Sequence, residues 1–468
     1  MVFTALMWAV PPLLTGALGG WARNRPALWA DELATWGAVR LDWEQLWRLA
    51  GSVDAVITPY YAALKLLDPA DPRRPSLVAA VLTSVVITAL GRRAGGRATG
   101  LVAGLLWAVL PVTSRYAQEA RPYAIAVFFS ALALLLLLRL LDRPSRPRAA
   151  AYAAAVALTG LCHPLSGLLM LTGHAVAGWR RWRVWPVAAL AGALPAIGLG
   201  VAAAGQTAQV SWIGRVSLDT LRLLPEQFLV SGVTGGLLLA LAVAGVRREK
   251  ARTTAGVSRD RVRTAVAGAG LVPPVLLLAA GTVASVWVAR YVLIAVPALV
   301  VLAAATAVRA GRLPAAGVLA LVTVLGWPAQ VAIREPDGHD QASSRIAEVI
   351  VPYRLDGDVV VFPDSHPSLS WAARDIYERY VPLPRPPDVL AVTPQRTDGR
   401  LTARECADPA ACLGTPPRIW IVRPDNRPDP LTFLSPAKQS LIGTDYRLRH
   451  RWNFPQLSVI LMERRTAG

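Results

Sequence analysis

Ile125 to Leu141 reads IAVFFSALALLLLLRLL, seventeen residues whose one charge, Arg139, lies near the end. A run of this length and apolarity is what the roughly 30 Å hydrocarbon core of a bilayer demands of a helix. Working outward, the same character returns at Val78–Leu90, Ala98–Leu110, Leu271–Val288 and Leu293–Val308. The 468 residues are 54% hydrophobic and only 17% charged, which excludes a single soluble globule. The sequence therefore predicts a polytopic α-helical membrane protein.

The formal charge of +19 would in a soluble chain suggest nucleic acid, but its distribution says otherwise. Basic residues gather between the apolar blocks: Arg92, Arg93 and Arg97; Arg139, Arg143, Arg146 and Arg148; Arg180, Arg181 and Arg183; Arg247 to Arg263; Arg309 and Arg312. These nineteen face only three acids, Asp142, Glu249 and Asp260, and read as cytoplasmic loops. No basic face interleaved with aromatics appears, so nucleic acid is not expected as a partner.

The spans predicted between these runs number about eleven: 1–20, 76–90, 98–112, 122–141, 149–162, 165–179, 185–204, 231–246, 264–288, 290–308 and 313–333. The N-terminus is then cytoplasmic and the C-terminal region extracytoplasmic, although Arg23 and Arg25 after the first span run against this and are outvoted by five later loops. Residues 1–20 lack the basic start of a signal peptide and read as an uncleaved span. Two domains follow: a membrane domain over 1–333 with a first outside loop at 21–75, and an extracytoplasmic α/β domain over 334–468. The latter holds 18 basic and 17 acidic residues. Asp358–Phe362, Arg418–Val422 and Leu457–Met462 are its expected strands, Ser343–Val351 and Ser368–Tyr380 its helices, and Pro382–Pro394 a connector without pattern. Cys406 and Cys412 are expected to form a disulfide there, since two thiols without an adjacent His fall short of a zinc set. Asp337, His339, Asp340 and His366 read as surface residues. With Lys65, Lys250 and Lys438 its only lysines, the chain suits a high-GC bacterium, and hence a bacterial plasma membrane.

The first loop carries seven acids, seven basic residues and five tryptophans, more than a tether needs. Trp36, Trp43 and Trp47 recur at helical spacing, so Leu33–Leu49 is predicted to be one amphipathic helix in the headgroup plane. Asp31-Glu32 opens it, and helix capping is the plainest reading of an isolated acidic pair. Asp54-Ala55 with Pro59-Tyr60-Tyr61 follows in the same loop, and Ser114-Arg115-Tyr116-Ala117-Gln118-Glu119-Ala120-Arg121-Pro122-Tyr123 follows the third span. Arg115, Gln118 and Glu119 share a face in a helical turn, and Arg115 with Glu119 is also readable as a structural ion pair. Arg290-Tyr291 adds a guanidinium at the same depth, and His163-Pro164 sits at a span end as a structural His or a substrate contact. Guanidiniums at the lipid interface suit a phosphate, and a nearby carboxylate suits proton removal.

Together the Asp31-Glu32 pair, the D-A-x-x-x-P-Y-Y element from Asp54, Ser114 to Ala124 (SRYAQEARPYA) and Ala289-Arg290-Tyr291 resemble the GT-C membrane glycosyltransferases. The resemblance is to the glycosyltransferase family 39-like group, which includes protein O-mannosyltransferases, lipid A aminoarabinose transferases and actinobacterial mannosyltransferase-like proteins. It runs over residues 20 to 300 or so; where relatives often carry a His, this chain has Ile57-Thr58-Pro59. It implies a GT-C fold and inverting transfer of a sugar, most simply mannose, from a polyprenyl-phosphate donor to an acceptor hydroxyl of an envelope glycan, lipid or protein.

In that reading Asp31 is the general base, while Glu32 and Asp54 orient hydroxyls. Arg115, Arg121 and Arg290 hold the donor phosphate, and Tyr116, Gln118, Glu119, Tyr123 and Tyr291 shape its pocket. Tyr60, Tyr61 and His163 are further substrate contacts. The phosphate leaves already charged, so no cofactor is required, although a divalent metal is compatible with the chemistry; no metal-ligand cluster or nucleotide fingerprint is evident. Two other classes compete: a polyprenyl-lipid transporter, which should show mid-bilayer charges and inverted repeats, and a non-catalytic scaffold in which Asp31 and Glu32 only cap a helix.

Overall fold

The computed structural model describes residues 2–68, 70–178, 184–206, 210–247, 257–366 and 369–465. The basic run at Arg180, Arg181 and Arg183, and Arg248 to Arg252 of the next run with Glu249, lie outside the described residues. In chain order the helices are α1 (Val2–Gly20), α2 (Ala30–Val39), α3 (Trp43–Leu49), α4 (Thr58–Leu67), α5 (Arg74–Gly95), α6 (Arg97–Val109), α7 (Pro111–Ala117), α8 (Tyr123–Asp142), α9 (Arg146–Cys162), α10 (Pro164–Gly178) and α11 (Trp185–Ala202). Then come α12 (Leu218–Arg222), α13 (Leu224–Leu229), α14 (Gly232–Arg247), α15 (Val257–Val283), α16 (Val296–Ala310), α17 (Arg312–Ala332), α18 (Arg345–Tyr353), α19 (Ala372–Tyr380), α20 (Pro409–Leu413) and α21 (Pro436–Asp445). Two compact units result: residues 1–23, 67–205 and 213–332 form one, and residues 24–66, 206–212 and 333–468 the other. The first loop thus groups with the C-terminal residues rather than with the helices that flank it in sequence.

The first unit is helical and apolar, and the chain is a multi-pass membrane protein. Six described helical stretches are each long and apolar enough to cross a bilayer: Arg74–Gly95, Tyr123–Asp142, Trp185–Ala202, Asp260–Val283, Ala289–Ala310 and Arg312–Ala332. The pair α6 and α7, bent by 61°, makes a seventh. Pro111 causes that bend, because it lacks an N–H and forces Leu110 into an extended conformation (φ −65°, ψ 131°). The Val109 carbonyl at the break accepts a hydrogen bond from Gln330 Nε2 of α17 at 3.0 Å, which satisfies that acceptor in an apolar setting. The other expected spans, α1, α9, α10 and α14, are helices of 19, 17, 15 and 16 residues. Close crossings rest on small residues: a Cβ on Gly268 of α15 would lie 2.5 Å from the Gly173 carbonyl of α10.

One expected span differs. The stretch 290–308 does not begin as an α-helix: Ala289–Ala295 is a 3₁₀ turn, and α16 starts only at Val296, with Pro297 in its first turn. The tighter turn carries Arg290 and Tyr291.

The second unit is an α/β layer structure. Strands β1 (Val359–Val361), β4 (Arg418–Arg423), β6 (Leu457–Arg464) and β5 (Tyr446–Phe454) lie in that order, with β2 (Ala391–Thr393) and β3 (Arg404–Glu405) as a separate pair. β1 and β4 are parallel, and the other pairings are antiparallel. The period of two along a strand sorts the core into two faces. Val360, Trp420, Val422, Val459 and Leu461 pack with α18, α19 and Leu33 of α2, while Val359, Ile419, Ile421, Ile460 and Met462 pack with Leu390, Leu413 and Ile442. Residue 33, next to the acidic pair, is fully buried in this core.

Three expectations are corrected here. Leu33–Leu49 is two helices rather than one: Asp42 accepts from Gln45 N–H at 2.8 Å while Gln45 Oε1 accepts from the Asp42 N–H, a capping box that starts a new helix. The connector Pro382–Pro394 contains β2. β5 was not anticipated, because YRLRHRWNF is basic and largely exposed, as suits an edge strand. Cys406 and Cys412 are bonded to one another.

Candidate active site

In the membrane unit, the break between α6 and α7 and the 3₁₀ turn before α16 bring the sequence motifs together. Arg115 lies in the last turn of α7, and Gln118 ends that helix. Glu119 is therefore outside the helix, yet its Oε2 still forms an ion pair with Arg115 Nη1 at 3.1 Å, with the two side chains 11% and 1% exposed. The Ser76 hydroxyl donates to the Glu119 carbonyl at 2.6 Å and lies 3.2 Å from that of Arg121, which fixes the turn on α5. Gln118 Nε2 donates to the carbonyls of Gly19 (3.0 Å) and Trp21 (2.9 Å), so its amide nitrogen ties α7 to the end of α1.

Arg290 is reached from the other side of the bundle. Its Nε donates to the Tyr123 hydroxyl at 2.9 Å, and its guanidinium lies 5.8 Å from that ring's centre. Tyr123 meets Tyr116 edge-on at 5.9 Å, and Arg115 lies 5.7 Å from the Tyr116 ring. His163 lies 5.9 Å from Tyr123 and 4.5 Å from Tyr291. Arg121 lies in the same turn as Glu119, two residues after it and two before Tyr123. The Ser166 backbone N–H donates to His163 Nδ1 at 3.2 Å, which assigns the ring proton to Nε2, and the Ser166 hydroxyl donates to the Tyr291 carbonyl at 2.6 Å. Arg115, Tyr116, Glu119, Arg121, Tyr123, His163, Arg290 and Tyr291, read separately along the sequence, thus form one cluster of cations and aromatic rings. Three guanidiniums against one carboxylate, Glu119, leave it positively charged and suited to a phosphate.

Asp31, Glu32 and Asp54 of the first loop sit in the other unit. Trp29 is the N-cap of α2 and makes no side-chain cap bond, so Asp31 and Glu32 are first-turn residues beside the helix's positive end rather than caps. Asp31 is half-buried, whereas Glu32 is 1% exposed and its Oε2 faces His339 Nδ1 at 3.5 Å. His339 is fully buried, which corrects the surface reading. His366 is half-buried too, against Phe433 at 4.7 Å, while Asp337 and Asp340 keep partial or full exposure. Asp54 closes a π-helical turn, Ala50–Asp54, and accepts from the Tyr61 hydroxyl at 3.1 Å. Gln206 clamps that turn, donating to the Ala50 carbonyl and accepting from the Ala55 N–H, both at 3.0 Å. Tyr60 and Tyr61 are buried beside it, their rings 6.5 Å apart.

A family model described as dolichyl-phosphate-mannose-protein mannosyltransferase matches residues 71–202. That span holds Arg115–Tyr123 and His163, but neither Asp31-Glu32 nor Arg290. Among solved structures, ArnT from Cupriavidus metallidurans bound to undecaprenyl phosphate superposes with a TM-score of 0.58 at 13% identity, over 98% of this chain and 97% of that one. Its apo form gives 0.52 at 14% identity, over the same shares. The chain has the GT-C fold. No curated protein matches the sequence significantly.

The GT-C resemblance carried by Ser114–Ala124 therefore holds at the level of fold. Several residues that hold the candidate side chains in place, within each unit separately, had no sequence signature. Ser76, Ser166, Gln206 and His339 act through contacts across 43 to 307 positions of chain, and only His339 stood out by residue type. Among the described residues no group of three or more His, Cys, Asp or Glu is arranged to hold a metal ion.

Proposed function

We propose that the protein is an inverting glycosyltransferase that moves a sugar from a polyprenyl-phosphate donor to an acceptor hydroxyl, at the extracytoplasmic face of a bacterial plasma membrane. The observation that carries this is the cluster of Arg115, Arg121 and Arg290 with Tyr116, Tyr123, Tyr291 and His163 in an apolar helix bundle. The match of the GT-C fold to a chain described as bound to undecaprenyl phosphate supports a lipid-phosphate donor, and the family model supports mannose as the sugar.

In this reading the guanidiniums hold the donor phosphate and stabilise the charge that builds on it as the bond to the anomeric carbon breaks. Asp31 takes the proton of the attacking hydroxyl, and the hydroxyl oxygen bonds the opposite face of that carbon. Glu32 and Asp54, with Tyr60 and Tyr61, orient acceptor or sugar hydroxyls. Gln118 and Glu119 set the pocket wall by fixing α7 and Arg115. A phosphate released as an anion needs no acid.

Binding of undecaprenyl phosphate to the purified protein tests the cluster. Arg121→Ala and Arg290→Ala should each weaken it by about tenfold or more, well beyond a lost surface charge. Undiminished binding in both variants would return the arginines to a structural role.

A further inference from the structure

A charged cavity lies in the membrane unit, at the other end of the bundle from the Arg290 cluster. Arg290 precedes α16 and Arg309 lies in its last turn, so about 20 Å of helix separates them. Here α5, α10, α14 and α16 finish and α15 begins, leaving a cavity of about 500 Å³. Its polar lining includes Arg263, Arg309, Asp260 and Thr264, and its apolar lining includes Ala267 and Val301. Arg263 Nε donates to the Ala94 carbonyl at 3.2 Å, and Arg309 Nη2 to the Gly245 carbonyl at 3.4 Å and the Thr306 hydroxyl at 3.2 Å. These bonds fix both guanidiniums at helix ends. Among the described residues, two guanidiniums against one carboxylate make the cavity electropositive. It is also far larger than a phosphate ion and within the size range of organic-ligand sites. An anionic head with an apolar continuation matches both properties; a free anion matches only the first.

We propose that this cavity binds an anionic phospholipid, its headgroup phosphate held by Arg263 and Arg309 and its acyl chain lying along Ala267 and Val301. Arginines packed between span ends on the basic side of a membrane protein suit such headgroups. The site is separate from the cluster around Arg290 and does not depend on sugar transfer.

Native mass spectrometry of the full chain released from detergent tests it, with phosphatidylglycerol, phosphatidylcholine and inorganic phosphate as probes. Wild type should retain phosphatidylglycerol over phosphatidylcholine. The double variant Arg263→Gln/Arg309→Gln should lose at least about tenfold in that retention. Ala267→Phe, which fills the cavity and leaves both arginines in place, should lose it comparably; if the double variant does not fold, this variant alone decides. Equal retention of the two lipids by wild type, or undiminished phosphatidylglycerol in Ala267→Phe, would overturn the proposal. So would displacement of the lipid by inorganic phosphate at equal concentration, which would make the cavity a free-anion site.

Discussion

At the residue scale, the buried pair of Glu32 and His339 changes how the acidic motif is read. Two neighbouring carboxylates have different settings: Asp31 is half-buried at the start of α2, while Glu32 points inward at a buried imidazole. That separation suits Asp31 for proton removal and Glu32 for positioning. Replacing His339 by Ala takes away a polar group facing a buried carboxylate, so it should cost about 1–3 kcal/mol, read as a lower thermal midpoint of the purified protein. His339→Gln should recover part of that loss. Asp425 gives a pH prediction. Burial alone would raise its carboxyl, but hydrogen bonds from the Arg423 side chain and the Arg427 backbone N–H outweigh burial and hold it below the usual carboxylate range. A depressed carboxyl contributes stability above its unfolded value of about 4 and loses it as pH falls through the folded value. The difference in melting temperature between wild type and Asp425→Asn should therefore be largest near neutral pH and shrink below about pH 4. Asp31, Arg115, Arg121 and Arg290 could be singled out in the sequence because they fall in motifs at the opposite span ends from the nineteen basic residues of the loops. Ser76, Ser166 and Gln206 were not, since a serine or glutamine looks the same in any loop until the fold supplies its partner.

At the element scale, α2 is held from both sides of its length. Leu33 is in the core of the sheet layer, and Gly37 faces the guanidinium of Arg396, which is 2% exposed and pairs with Asp375 at 2.8 and 2.6 Å. A Cβ at Gly37 would lie 2.4 Å from Arg396 Nη1, and the bidentate pair leaves that group little room to yield. Gly37→Ala should cost about 1–3 kcal/mol, measurable as a lower thermal midpoint, with Ala38→Gly as a control that adds no atoms. Apolar runs fixed the positions of the membrane helices well, because bilayer length leaves little choice. Breaks were harder: the Asp42 capping box divides a stretch whose tryptophans keep helical spacing, and the 3₁₀ turn at Ala289–Ala295 lies inside an unbroken apolar run. Basic β5 was hidden because its partner, β6, supplies the order that its own composition does not.

At the scale of the whole molecule, the charge pattern and the proposed chemistry make one joint demand, that the cysteine-bearing α/β layer lies outside the cell. After mild reduction of intact cells, a membrane-impermeant thiol reagent should label Cys406 and Cys412. Labelling only after the membrane is opened would invert the orientation drawn from the arginine runs. The central claim is sugar transfer with Asp31 as base, and reconstituted protein given a radiolabelled polyprenyl-phosphate mannose and envelope acceptors tests it most directly. The account predicts transfer by wild type and a rate lower by about 10² to 10⁴-fold in Asp31→Asn, with donor binding unchanged. Equal transfer by both proteins, or none from any polyprenyl-phosphate sugar, would contradict it.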